Sequence, residues 1–345
     1  MMWLSDRTVE HLKRVAEWPD LAETKYRLLE ELGRGGMGTV FLAEDRVLGR
    51  RVALKVVGTG ASDPAAAARM LREARVIARL EHPGIVPVHD AGTLPDGRMF
   101  YAMKRIDGRR LDEIAGGSPL PDRLRTFQKV CDAVAFAHAH GVLHRDLKPE
   151  NIMVGPFGEV LVMDWGIARV VEAAPEPVPP GPRAAPQEST AEGTIVGTPA
   201  YMSPEQAAGR SDAVGRAADV YALGGLLYFL LTGKPPFDAE AAGRRARGEA
   251  DLAPVPARRA DASTPAALEA ICGRAMAAEP GARYGSAEEL AAEVARYLDG
   301  ARVHAYREGP AEKAARVFAR YRTPILLIAA YLLMRTLLLL YGRGR

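Results

Sequence analysis

The sequence predicts an α+β chain of two unequal lobes: a β-rich N-terminal lobe with one main helix, then a mainly helical C-terminal lobe. Three observations carry this. Between Tyr26 and Ile106 the patterned runs are short and rich in β-branched or apolar residues, as strands are, with one helical segment among them. From Leu111 to Leu298 the apolar spacing turns to that of helices. The chain has 345 residues, 48% hydrophobic and 26% charged, enough for one large two-lobed domain with flanking pieces.

Taken in order, residues 5–17 read as a short helix, with Ser5 or Asp6 as N-cap and Pro19 beyond its end, in an N-terminal extension over 1–25. Tyr26 to Leu32 and Thr39 to Ala43 read as strands around Gly33-x-Gly35-x-x-Gly38. Two kinds of phosphate-binding loop share that glycine spacing. The dinucleotide kind must open a helix. Here a strand follows, so the glycines form a hairpin whose backbone N–H groups are open to a phosphate because no Cβ blocks them; an ordinary glycine-rich turn fits this fragment equally well. "RRVALKVVG" is the next strand. "DPAAAARMLREARVIARL" is a helix with Pro64 near its start and His82-Pro83 after it. "GIVPVHDAGTL" and "RMFYAMKRI" are strands around a Pro-Asp-Gly turn. Within the helical part, the Pro- and Ala-rich stretch at 171–193 reads as a mobile loop, since proline fixes φ and lacks a donor.

Composition excludes several functions. A net charge of +3 does not argue for a nucleic-acid partner. Cys131 and Cys272 lie far apart in helical contexts and read as small buried apolar residues, and the seven histidines show no metal-ligand spacing. The charged start carries no signal peptide, so the first folded domain is expected to stay in the cytoplasm. No internal repeat is present.

Lys55 sits on a strand between Ala53, Leu54, Val56 and Val57, where an unpaired ammonium is costly to bury. Glu73, eighteen residues on in the helix, is its expected partner. Further along come "GVLHRDLKPENIMV", "LVMDWGIAR", "GTPAYMSPEQ", Asp219 before "VYALGGLLYFLLTGKPPF", and Arg283 in "EPGARYGSAEEL". In this order, over Tyr26 to Leu298, they resemble the motifs of the eukaryotic-type (Hanks-type) serine/threonine protein kinases, bacterial members included.

That resemblance implies a two-lobed protein kinase fold over 26–299, with an N-lobe at 26–106, a C-lobe at 107–299 and the 171–193 stretch as an insert in the activation loop. It implies transfer of the γ-phosphate of ATP to Ser/Thr hydroxyls of proteins, in signalling. Asp146 would accept or orient the substrate hydroxyl, and Lys148 would reach the γ-phosphate. Lys55, held by Glu73, would anchor the α- and β-phosphates. Asn151 and Asp164 would hold Mg2+, with Mn2+ as an alternative, because magnesium takes hard oxygen ligands. Gly33, Arg34, Gly35, Gly36, Met37 and Gly38 would cover the phosphates. Val40 and Ala53 above and Met153 below would grip adenine, with Met103 at the gatekeeper position. Lys148 and Thr198 mark the Ser/Thr branch. The one departure is Trp165 where the family has Phe, read as tolerated packing beside His144 and Ile77. Arg145 before the catalytic Asp implies activation by loop phosphorylation, with Ser189, Thr190 and Thr194 as candidates and a transient homodimer for autophosphorylation in trans. A pseudokinase scaffold and a small-molecule kinase on the same fold are the alternatives.

Residues 300–323 are basic, with Arg302, Arg307, Lys313, Arg316, Arg320 and Arg322. Residues 324–341 follow, apolar but for Arg335, and ten Leu and Ile among them favour insertion by roughly −3 to −6 kcal/mol. Arg335 opposes it by at most about +3 kcal/mol. The expectation is a transmembrane helix, with the basic flank and the kinase domain on the inner side of the cytoplasmic membrane. A C-terminal helix packed on the kinase or on a second copy, in a cytoplasmic protein, is the alternative.

Overall fold

Side chains alternate across a strand, and in the first lobe that alternation separates a packed outer face from an inner one that carries Lys55. The computed structural model describes residues 18–35, 38–56, 71, 74–165, 169–170, 198–247, 249 and 253–342. The helix expected at 5–17 and the insert at 171–193 lie outside them. Strands β1 (Tyr26–Gly35), β2 (Gly38–Asp45), β3 (Arg50–Val56), β4 (Val88–Thr93) and β5 (Met99–Lys104) form an antiparallel sheet in the order β1-β2-β3-β5-β4. Phe41, Ala43, Val52, Leu54, Val56, Phe100 and Ala102 fall on one face and pack with Leu21 and Tyr26. Trp18 closes that face, edge-on to Phe41 at 6.0 Å. Pairing of Val40 with Lys55, Lys55 with Tyr101, and Ala53 with both Leu42 and Met103 puts those residues on the opposite face. Tyr101 there packs on Ala74 of the helix, described at residue 71 and at 74–78.

The connection to the second lobe runs through β6 (Arg109–Arg110) and α1 (Leu111–Ile114). Helix α2 (Leu120–Ala139) leads to β7 (Val142–Leu143), β8 (Ile152–Val154), β9 (Val160–Val162) and β10 (Arg169–Val170). β6, β8 and β9 form a three-stranded sheet, while β10 pairs with β7. Then come α3 (Pro204–Ala207), α4 (Arg216–Thr232), α5 (Ala239–Ala246), α6 (Ala257–Ala260), α7 (Ala266–Ala275) and α8 (Ala287–Leu298). Helix α4 is apolar nearly all round and is buried so, as the central helix of the lobe. Gly224 allows its close approach to α7: a Cβ there would meet Met276 Cγ at 2.7 Å and Ala275 Cβ at 2.8 Å.

Packing on this lobe continues beyond the boundary read at 299. Val303 is buried in the helical core, and Glu293 of α8 accepts the backbone N–H groups of His304 and Ala305. Helices α9 (Pro310–Arg320) and α10 (Arg322–Gly342) follow. The transmembrane expectation at 324–341 coincides with α10, whose described side chains at 326–337 are all exposed. Among the described residues no helix is long and apolar enough to cross a membrane, so the fold does not support a span there; Arg335 is the charge that interrupts the apolar run.

Candidate active site

The glycine loop is a hairpin, not a helix start. β1 and β2 pair from Tyr26–Asp45 to Gly35–Gly38, with two irregularities on β1. Gly38 adopts φ 130°, a conformation closed to residues with a Cβ. Gly36 and Met37, at the tip, lie outside the described residues, as does Glu73. The Lys55–Glu73 pair expected from the sequence is therefore not among the described contacts. Lys55 is buried, its Nζ 2.7 Å from Asp164 Oδ1 and 5.7 Å from the centre of the Tyr101 ring. Asp164 follows β9 with φ 60°, unusual for a residue with a side chain. Burial pushes its carboxyl up, but the charge and hydrogen bond of Lys55, with His144 and Lys148 adding, hold it below the usual carboxylate range.

The turn after β7 builds the other half. Asp146 Oδ1 accepts both the backbone N–H of Thr198 at 2.8 Å and its hydroxyl at 2.9 Å. Lys148 Nζ reaches Asp146 Oδ2 at 2.9 Å and donates to Thr198 Oγ1 at 2.7 Å. Asn151 Nδ2 donates to the Asp146 carbonyl at 2.8 Å, which leaves its amide oxygen as the free acceptor end of the side chain. Oδ2 of Asp146 has one short partner and a long 3.4 Å approach from Asn151, so it is the oxygen with room for an incoming hydroxyl. Asp164 and Asn151 thus offer a carboxylate and an amide oxygen, a donor set that fits a hard divalent cation.

Several expectations locate together. Val40, Ala53 and Met103 share the inner sheet face with Lys55, and Met153 lies on β8 of the other lobe, paired with Leu161 and Arg110. Trp165 is fully buried, its ring 4.6 Å from that of His144 and in one core with Ile77; its indole N–H donates to the Val162 carbonyl at 3.3 Å. Glu205 of the Ser-Pro-Glu segment meets Arg283 in a bidentate pair at 2.7 and 2.8 Å. Ser189, Thr190 and Thr194 lie outside the described residues.

Two relationships were not read from the sequence. Asp219 accepts from His138 and from the backbone of His144 and Arg145; the signal was a lone Asp opening an apolar helix. Gln206 Nε2 donates to the Arg145 carbonyl at 2.9 Å, tying α3 to the same turn; nothing in the local sequence signals that contact.

The chain is similar to known proteins. The family model of the protein kinase domain matches residues 26–291. The serine/threonine-protein kinase PknB of Mycolicibacterium smegmatis is 38% identical over 289 residues, covering 82% of this chain and 44% of the relative. Pkn3 of Myxococcus xanthus is 40% identical over 280 residues, covering 78% of this chain and 49% of the relative. PknD of Protochlamydia amoebophila is 34% identical over 301 residues, covering 80% and 30%. The chain thus spans less than half the length of these relatives. The crystal structure of the PknI kinase domain of Mycobacterium tuberculosis superposes with a TM-score of 0.59 at 29% identity, covering 79% of this chain and 96% of that one. A match over most of the chain, with glycine hairpin, catalytic-loop residues and helical lobe in order, means that the chain belongs to the protein kinase family, among the Hanks-type serine/threonine kinases of bacterial kind.

Proposed function

We propose that this chain transfers the γ-phosphate of ATP to serine and threonine hydroxyls of proteins. The observation that carries the reading is the Asp146–Lys148–Thr198 cluster, hydrogen-bonded to Asn151 and set beside the Lys55–Asp164 pair. Phosphoryl transfer is mostly positioning and charge stabilisation. Oδ2 of Asp146 takes the substrate hydroxyl and orients it, then accepts its proton as the oxygen bonds to phosphorus. Lys148, beside the same oxygen, neutralises charge on the transferring phosphoryl group. Lys55 holds the α- and β-phosphates from the inner sheet face, where Val40, Ala53 and Met103 supply apolar contacts to adenine opposite Met153. Backbone N–H groups of the 33–38 hairpin cover the phosphates. Asp164 and Asn151 would hold Mg2+, or Mn2+, which supplies charge neutralisation to the triphosphate. Every polar position of the family motifs is present in the sequence, which favours an enzyme over a scaffold. The test is transfer of labelled phosphate to myelin basic protein. Asp146→Asn should lower the rate about 10²–10⁴-fold, the usual cost of a positioned base. Equal rates in both proteins, or none in either, would overturn the reading.

Activation by phosphorylation at Ser189, Thr190 or Thr194, in trans within a transient homodimer, belongs to the same proposal. Its support is Arg145 directly before Asp146, a cation able to bind an added phosphate. Alanine at all three positions should lower specific activity; unchanged activity refutes the switch. For location, we propose attachment to the inner face of the cytoplasmic membrane through α10. The support is its exposed Leu326, Leu327, Ile328, Leu332 and Leu333, and the basic stretch before it. Carbonate extraction that releases the full chain as readily as one ending at Arg322 would mean that α10 does not anchor the chain in the bilayer.

A further inference from the structure

Arg245, on the last turn of α5, is buried with 4% of its surface exposed, yet no carboxylate among the described residues pairs with it. Its guanidinium lies 4.0 Å from the centre of the Phe237 ring and 5.9 Å from that of Tyr221. Both terminal nitrogens donate to one acceptor, the backbone carbonyl of Met202, at 3.2 Å, and one approaches Tyr221 Oη at 3.5 Å. Burying an arginine without a counter-charge is costly, and an apolar side chain would serve stability better at such a position. The cost is met here by aromatic faces and a bifurcated contact to one carbonyl, an arrangement that fixes a backbone atom.

The fixed atom is well placed. Met202 lies four residues after Thr198, whose N–H and hydroxyl hold Asp146, and immediately before Ser203, which caps α3 through Gln206. Between them Tyr201 packs toward Gly225 and Pro236; a Cβ on Gly225 would meet Tyr201 Cδ1 at 3.1 Å and Pro236 Cγ at 3.3 Å. The stretch from Thr198 to Ser203 is thus pinned at each end and clamped in the middle. Arg245 supplies the only described side-chain tie from α5 to its carbonyl side. We propose that Arg245 is a positioning residue for the protein acceptor. By holding the Met202 carbonyl against α5, it sets the segment on which the acceptor chain lies while its hydroxyl reaches Asp146.

This rests on the kinase reading above, so the experiment separates the two. Steady-state transfer to myelin basic protein is measured with acceptor and ATP varied in turn, for wild type, Arg245→Met, Arg245→Lys and Phe237→Leu, with thermal unfolding of each. No transfer by wild type refutes the kinase reading itself. With active wild type, Arg245→Met should raise the acceptor KM about tenfold, as loss of a charged hydrogen bond does, while the ATP KM stays within about twofold. Arg245→Lys, with one donor retained, should fall between, and Phe237→Leu should shift the acceptor KM in the same direction. If Arg245→Met does not fold, the Lys and Leu variants decide. An unchanged acceptor KM in the folded variants, or an ATP KM rising in parallel, overturns the proposal.

Discussion

Asp219, in the first turn of α4, accepts the backbone N–H of Arg145 at 2.8 Å across a separation of 74 residues. Its other oxygen accepts the N–H of His144 and of the His138 ring, each at 2.8 Å. Arg145 is held at φ 69°, a conformation of the kind that costs roughly 1–3 kcal/mol outside glycine. One buried carboxylate therefore fixes the strained turn that presents Asp146.

Asp219→Asn should unfold more easily by about 3–5 kcal/mol, since it leaves donors facing an amide NH2 and removes the charge opposite His138. Burial pushes the Asp219 carboxyl up, but the hydrogen bond and charge of His138, with His144 and the Arg145 N–H, bring it below the usual range. A depressed value means its stabilisation is complete above the ordinary aspartate pKa of about 3.9 and is lost as pH falls through the folded value. Urea unfolding at pH 7 checks the prediction. A variant as stable as wild type would show that the turn is held otherwise.

Lys55 and Asp164 meet at 2.7 Å, but the Asp164 side chain is about half exposed. Lys55 itself is buried, so an apolar methionine of similar length there avoids stranding a charge and leaves only the half-exposed Asp164 without its partner. Lys55→Met should lose at least about 10²-fold in phosphoryl transfer, as loss of one charge-stabilising donor does, with its melting temperature little changed. A large drop in melting temperature, or near-normal transfer, would contradict this.

How much of this was legible follows from how local each signal is. Lys55, Asp146, Lys148, Asn151 and Asp164 were named because the short stretches that hold them resemble kinase motifs. The hairpin was legible because Thr39 to Ala43 has strand character, and the sheet bears it out. The partners of those residues were not legible in the same way. Asp219 reaches back 74 and 75 residues, and Arg245 reaches back 43, to backbone atoms that carry no side-chain signature. Glu293 captures two N–H groups beyond the boundary read at 299, past a turn at Gly300, a pairing no periodicity announces. α10 was read from its apolar run, weighed against Arg335, and from the basic stretch before it; those signals say that a helix is hydrophobic but not what covers it.

Trp165 fills a fully buried site, with its indole N–H on the Val162 carbonyl and its ring against His144. Trp165→Phe should cost about 1–2 kcal/mol, from one hydrogen bond and a small cavity, with turnover within a few-fold of wild type. Calorimetry and the phosphate-transfer assay measure the two. A change in turnover beyond tenfold would mean that the indole governs the Asp164 turn and is not simply tolerated packing.

The Glu205–Arg283 pair gives the sharpest pH test. All five donors of Arg283 are used: two on Glu205, the others on the carbonyls of Ala217, Ala277 and Ala278. Both side chains are almost fully buried. Burial pushes the Glu205 carboxyl up, but the hydrogen bonds and charge of Arg283, with help from its own backbone and Ser203, hold it below the usual range. Glu205→Gln keeps the shape and strands the arginine charge, so at pH 7 it should lose about 3–5 kcal/mol. The sign of the pH dependence follows from the depressed value. The wild-type advantage is complete above the ordinary glutamate pKa of about 4.3 and shrinks as pH falls through the folded value. Asp219 titrates in the same acid window, but in both proteins, so it cancels in their difference. Denaturant unfolding from pH 7 to pH 3 should therefore give a stability gap that is flat, then narrows. A gap that stays constant down to pH 3 would mean that the pair holds by shape and hydrogen bonding alone.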